Sequence, residues 1–217
     1  MYKWLIVLFT VYSWSNVCAQ DLDVGLVNLV SGKVTFSPPS GVPTKDVQAF
    51  MKVREGDRIE IGPGAKVRVV YFANSRQELW VGPASFRTAK SGAQPIAGNA
   101  AEVATLPAGV PQRIARVPEL VEYAKLGGIQ VRGGVTPAQK ASLEQQAAVA
   151  AARTTYEELR KNWAADDITP ELYLYSALHE YLLYDDMKLV VEEMQRRQPG
   201  NEDVKALASW VEKRVSR

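Results

Sequence analysis

Glu55 and Asp57 are the two carboxylates of this chain whose spacing invites a chemical reading, since they flank Gly56 and would lie close together on one turn. Such a pair could hold a metal ion or share acid–base work. The same three residues also spell a tight turn, in which the Asp side chain bonds the following backbone amides, and the turn is the expectation here. His179 is the single histidine. Without a second ligand at helical spacing it makes no zinc motif, and it reads as a partly exposed or capping side chain. The single cysteine, Cys18, falls in an apolar leader. A Ser–His–Asp arrangement would have to recruit His179, and no Walker loop or dinucleotide fingerprint is present. Gly127-Gly128 and Gly133-Gly134 do not lead from a strand into a helix. The expectation is no catalytic residue, no metal and no cofactor. A carboxylate-pair hydrolase acting on envelope glycans is the least favoured reading.

The elements that would position these residues are strands in the first half. Ile59 and Ile61 alternate with Arg58 and Glu60, and Ala65, Val67, Val69 and Tyr71 alternate with Lys66 and Arg68. Period-two patterning of this kind marks a sheet with one face in the core. Asn74 tolerates left-handed dihedrals and is placed at the turn into Leu79-Trp80-Val81, which Gly82-Pro83 stops. Upstream, Ser31-Gly32 is read as a two-residue hairpin turn between 24–30 and 33–36. Five such runs give an all-β unit over about 24–87. The small, polar stretch 88–105 reads as loop or weak strand edge.

Taken together, these residues resemble a known family. Ser31-Gly32-Lys33-Val34-Thr35, the Glu55-Gly56-Asp57 turn with its flanking Val53-Arg54 and Arg58-Ile59, Gly62, and the strand 67–72 look like the FecR domain. That β-module is named after the ferric-citrate signalling regulator of bacterial envelopes. Leu79 to Phe86, with Gly82-Pro83 inside it, is similar to the family's closing element. The resemblance covers about sixty residues and implies a periplasmic module that relays or scaffolds by protein contact. The family usually has Asp-Gly-Ser where this chain has Asn74-Ser75-Arg76, and the regulator's membrane helix and cytoplasmic segment have no counterpart here.

Export is read from the leader. Lys3 precedes the apolar run 4–12, and Val17-Cys18-Ala19 obeys the small-residue rule for cleavage between Ala19 and Gln20. That run is too short to span a bilayer, which takes about 20 apolar residues. Val17, before Cys18, is larger than a lipoprotein signal prefers. Cleavage would remove the only cysteine, so the mature chain would form no disulfide. With a formal net charge of +2 over the whole chain, neither nucleic-acid binding nor an acidic-lipid surface is supported.

The second half is helical. Prolines 107, 111 and 118 break the segment 106–134, where 113–117 reads as a strand, 118–126 as a short helix and 129–132 as another strand. This connector is expected to pack on the β-module. Thr136-Pro137-Ala138-Gln139 reads as cap and first turn of a helix to about 164. Thr169-Pro170-Glu171 would cap a second, 172–184; Asp185-Asp186 would mark the turn into a third, 187–197; a fourth would span 202–215. Leu174, Leu178, Met187, Val191, Met194 and Pro199 resemble the packing positions of one degenerate tetratricopeptide repeat. Tyr175 and Met187 stand where the repeat prefers small residues. The helix 172–184 is apolar or aromatic except at Ser176, His179 and Glu180. It is read first as a central core helix, and Tyr173, Tyr175, Tyr181 and Tyr184 are the candidates for a partner surface.

The expected fold class is therefore α+β as two domains. A leader (1–19) precedes an all-β FecR-like module (20–92), a connector (93–135) and a helical, repeat-like bundle (136–217). The expected role is an exported, periplasmic, non-catalytic interaction, scaffold or signalling module whose partner is another envelope protein, with secretion left open. The alternative is binding of cell-wall polysaccharide, with Phe72, Trp80 and Phe86 as stacking faces. No stable membrane insertion is expected after cleavage. Intact-mass measurement of protein recovered from the envelope should show Gln20, or its cyclised form, at the N-terminus; a lipidated Cys18 would refute this.

Overall fold

The computed structural model describes residues 22–41, 43–126 and 142–215. The leader, with Ala19 and Gln20, lies outside the described residues, as do the Thr136 cap and the strand expected over 129–132. Strands β1 (Asp23–Ser31), β4 (Lys52–Arg54), β6 (Lys66–Tyr71), β7 (Arg76–Val81) and β10 (Glu102–Thr105) form one sheet in the order β10-β7-β6-β1-β4. Strands β2 (Val34–Ser37), β3 (Lys45–Asp46), β5 (Arg58–Ile61), β8 (Ala84–Ala89) and β9 (Gly92–Gly98) form a second, ordered β3-β2-β5-β8-β9. All pairings are antiparallel. The inner faces meet in one apolar core that includes Val27, Val53, Ile59, Ile61, Val67, Val69, Tyr71, Trp80 and Phe86.

Alternation of β5 holds, with Ile59 and Ile61 buried and Arg58 and Glu60 exposed. That of β6 does not: Arg68 and Val70 are buried as well as Val67, Val69 and Tyr71, because the outer face of this sheet is covered. The hairpin expected at Ser31-Gly32 is not one. β1 pairs with β4 and β6, and β2 with β3 and β5, so Gly32 (φ 77°) carries the chain from one sheet to the other. The stretch 88–105, read as loop or weak edge, carries strands β9 and β10 along the borders of the two sheets.

Among the described residues six helices follow: α1 (Val110–Ile114), α2 (Val117–Lys125), α3 (Leu143–Asn162), α4 (Thr169–Glu180), α5 (Tyr184–Arg197) and α6 (Glu202–Val215). The strand expected over 113–117 is replaced by α1 and the start of α2, with Pro111 and Pro118 in their first turns, where a missing N–H costs nothing. The two helices pack on α4 and α6 as well as reaching the β-module, where Lys52 pairs with Glu119 at 3.2 Å. α3 is capped by Ser142, whose side chain accepts from the Gln145 amide while Gln145 returns the bond, a reciprocal capping box. Thr169 is a helical residue of α4 and not its cap, and Asp185 and Asp186 fall inside the first turn of α5. α3 through α6 pack in sequence, each on the next. Leu174, Leu178, Met187, Val191 and Met194 are all buried there. This second core is continuous with Leu26 and Val70 on the outer face of the sheet and with Phe50 in the turn before β4.

Beside this apolar contact, a buried polar cluster joins helices to sheet. Arg68 of β6, 2 % exposed, directs Nη2 to Asp166 Oδ1 (3.2 Å) and Nε to Asp167 Oδ2 (3.4 Å). Gln77 of β7 donates to Asp167 Oδ2 at 2.6 Å and accepts from Thr169 Oγ1 at 3.0 Å, and Asn28 of β1 donates to the same hydroxyl. Asp167 Oδ1 accepts the Thr169 amide at 2.8 Å. Removing one partner of a buried pair leaves an uncompensated charge, at a cost of about 3–5 kcal/mol. Arg68→Ala should therefore lower the unfolding free energy by that order in urea titration, and Asp167→Asn on the same background should recover part of the loss. A loss below about 1 kcal/mol would mean that the junction behaves as solvated surface.

Candidate functional site

The turn residues on which the resemblance rests take the following places. Asp57 is buried and its Oδ2 accepts the Arg54 amide at 2.8 Å, so the amide it holds precedes it where a following one was expected. Gly56 sits at φ 90°, which favours glycine, and its amide reaches Thr88 O of β8 at 2.8 Å. Glu55 is exposed, so the two carboxylates look into different environments and do not combine. Gly62 and Gly82 are close neighbours: a Cβ on Gly82 would stand 1.9 Å from Gly62 O, which excludes any side chain there. The Gly82–Pro83 peptide is cis. At the β6–β7 turn the left-handed residue is Ser75 (φ 57°) and not Asn74. Asn74 instead binds the turn from the side, accepting the Arg76 amide at 3.3 Å and donating to Ser91 O at 2.7 Å.

Trp80 and Phe86 stack on each other inside the sandwich, with centroids 4.5 Å apart. Both are buried, and the Trp80 indole N–H is satisfied by Glu78 Oε2 at 3.0 Å. Glu78 is itself fully buried and also receives Arg76 and the Ala93 amide, so it serves as the clasp between β7 and β9. These aromatics offer no face to a sugar, and Phe72 is half-buried against the helices.

The four tyrosines separate. Tyr175 is 1 % exposed and belongs to the core; burial pushes its phenol well above the ordinary range. It therefore offers nothing to a partner surface. The apolar surface of α4 needs no second chain to cover it, because α1, α3 and α5 already do. Tyr173 is half-buried beneath the Arg113 guanidinium, 5.5 Å from ring centre, and Tyr181 is half-buried at the end of α4. Only Tyr184 reaches a concave surface.

That surface is a groove of about 300 Å³ on the helical array. Leu120 and Tyr123 enter it from α2, His179 from α4, Leu182 and Tyr184 from the α4–α5 turn and the start of α5, and Trp210 and Arg214 from α6. Tyr123 and Tyr184 each meet Trp210 edge to face, both at 5.8 Å between centroids, and His179 lies 5.7 Å from it. Edge-to-face rings gain roughly 0.5–1.5 kcal/mol beyond area burial, so the floor of the groove is held stiffly. The Arg214 guanidinium rests 4.8 Å above the Trp210 ring. His179 is partly exposed, as expected, and stands in the groove wall.

Leu182 closes the groove in an unusual conformation. It follows the C-cap of α4 at φ 55°, and the Leu183 amide bonds back to Leu178 O at 3.2 Å. This is the helix-ending turn where glycine or asparagine normally stands, and a branched side chain there costs roughly 1–2 kcal/mol. Leu182 is nonetheless 58 % exposed. Tyr123, Leu182, Trp210 and Arg214 are not among the candidates that the sequence suggests. The one signal for them there is the Leu182-Leu183 pair at a helix end with no Gly or Asn.

A larger cleft of about 690 Å³ separates β1 from the α5–α6 turn. Most of its charged wall residues are engaged with neighbours: Lys125 with Asp203, Arg197 with Glu171, Asp166 with Arg68, Glu202 with Lys205. Among the described residues no cluster of His, Cys, Asp and Glu is placed to hold a metal ion, and no helix is long and apolar enough to cross a membrane.

No protein-family model, no curated protein and no solved structure matches the chain.

Desolvation lowers the pKa of His179 from its ordinary 6.5, with Arg214 adding to the effect and Glu180 opposing it. A neutral histidine in the fold and a protonated one in the unfolded chain make acid destabilising. The His179 contribution is intact above pH 6.5 and is lost as pH falls from there towards the lowered folded value. Denaturant midpoints measured between pH 7.5 and 5.5 should fall for the native protein and change less for His179→Gln. Equal slopes in the two proteins would exclude His179 as the source.

Proposed function

We propose that this is an exported, non-catalytic protein of the cell envelope that acts as a protein-interaction and scaffold module. In this reading the N-terminal sandwich is FecR-like and the helical array supplies the binding face. The observation that carries it is the aromatic groove: a rigid floor of Tyr123, Tyr184 and Trp210 beside the exposed Leu182. Aromatic anchors in a concave, largely apolar setting are the composition of interface hot spots. Leu182 holds a strained left-handed turn, and such strain clusters at binding sites and clamps. The residues with chemical potential elsewhere are engaged structurally, Asp57 in its turn, Glu78 between strands and Asp167 at the junction. The alternative, binding of cell-wall polysaccharide, loses two of its stacking rings to the sandwich core.

Immobilised protein should retain envelope proteins from a detergent extract and not isolated cell wall. Tyr123→Ala should reduce that retention at least several-fold, while Arg87→Glu, exposed on β8, should leave it intact. Retention of cell wall alone, unchanged in Tyr123→Ala, would overturn the reading in favour of glycan binding.

A further inference from the structure

The groove selects the chemistry of its occupant as well as inviting one, a selection that rests on the protein-interaction reading. Its volume, about 300 Å³, lies at the lower end of ligand pockets (roughly 300–1,000 Å³) and suits side chains of a peptide segment better than a folded surface. Its walls are apolar and aromatic with one ionised exception. His179 is held towards its neutral form, which leaves Arg214 as the charge lining the site. Arg214 forms no ion pair with any described residue; its guanidinium is held instead against the Trp210 ring. An occupant complementary to this groove therefore brings apolar surface together with an anion.

Leu182 gives the second, independent argument. A left-handed leucine is unfavourable in the free protein for its backbone; exposure alone argues nothing, since Leu126, Leu143 and Leu189 are more exposed still. Glycine or asparagine would build the same turn at lower cost. Backbone strain of this kind is kept where function requires it, and Leu182 lines the groove together with Tyr123, itself 42 % exposed.

We propose that the groove receives an acidic amphipathic segment of a partner protein, one aliphatic side chain seated between Leu182 and Tyr123 and a neighbouring carboxylate on Arg214. The test uses a fluorescein-labelled synthetic peptide with leucines at helical spacing and glutamates between them, and a second peptide with lysines in place of the glutamates. Fluorescence anisotropy with the mature protein should show binding of the acidic peptide and none of the basic one. Leu182→Asn should weaken the acidic peptide about tenfold while leaving the melting temperature unchanged or raised, because asparagine tolerates the turn. Arg214→Ala should abolish the preference for acid.

Equal binding of the two peptides, or binding of neither, overturns the proposal. So does a Leu182→Asn variant that melts lower and binds as before, since the leucine would then be structural. If the acidic peptide fails while Tyr123→Ala still reduces capture of envelope protein, the partner chemistry is wrong and the protein-interaction reading stands. If capture is also indifferent to Tyr123, both fall.

Discussion

The contact of Arg68 with Asp166 and Asp167 decides how the two halves of this protein meet. A sheet face covered by helices would ordinarily be apolar. Here β1, β6 and β7 present Asn28, Arg68 and Gln77 to the α3–α4 connection, and all three are buried. A buried ion pair adds little net stability, because desolvating the charges offsets most of their attraction. What it supplies is selectivity: an apolar face can slide against another at small cost, whereas Asp167 must find Arg68, Gln77 and the Thr169 amide together. The helices are accordingly fixed in position on the sheet as well as held against it.

The same logic repeats one layer out. Glu171, fully buried at the start of α4, is met by Arg160 of α3 at 3.0 Å and by Arg197 of α5 at 3.2 Å. Arg160 also donates to the carbonyls of Trp163 and Asp167, so it braces the connection that carries Asp166 and Asp167. Gln198 adds a bond to the carbonyl of Asp166 at 2.9 Å. Three helices and a sheet thus converge on one segment of irregular chain whose backbone groups would otherwise be buried without partners.

These contacts explain which parts of the fold are legible in the sequence. Alternation at Ile59 and Ile61 is legible because β5 keeps a solvated outer face, so polarity and burial agree. It misleads at Arg68 because polarity there marks a buried partner and not water, and the partner lies about a hundred residues away in sequence. Helices α4 to α6 are legible in number and order, but Thr169, read as a cap, and Asp185-Asp186, read as a turn, lie inside first helical turns, so their starts are not. The segment after Pro111 is not legible, because a short run with β-branched Ile114 and Val117 among prolines suggests a strand, while those two residues, three apart, share one buried helical face. The groove is half legible. Tyr184 stands out by type, but Tyr123 and Trp210 come from helices remote in sequence, and the conformation of Leu182 is set by a turn that no composition reveals.

α4 runs from the junction to the groove, with Thr169 at one end bonded to Gln77 and Asn28, and His179 at the other against Trp210. Twelve residues give it a length of roughly 18 Å, so the two sites are close and share one rigid element. For occupancy of the groove to change the β-module, α4 would have to slide, and sliding would separate Asp167 and Thr169 from their buried partners at several kcal/mol. An apolar side chain supplies roughly 1.5–3 kcal/mol and a carboxylate on Arg214 roughly 1.5–3 more, but only the part that differs between two positions of α4 could drive that displacement. In the proposed reading the protein therefore holds its partner in a fixed relation to the sandwich instead of relaying a signal through it. Scaffolding follows from the stiffness of the junction, and a variant with Arg68 removed is where any coupling between the two units would first be allowed.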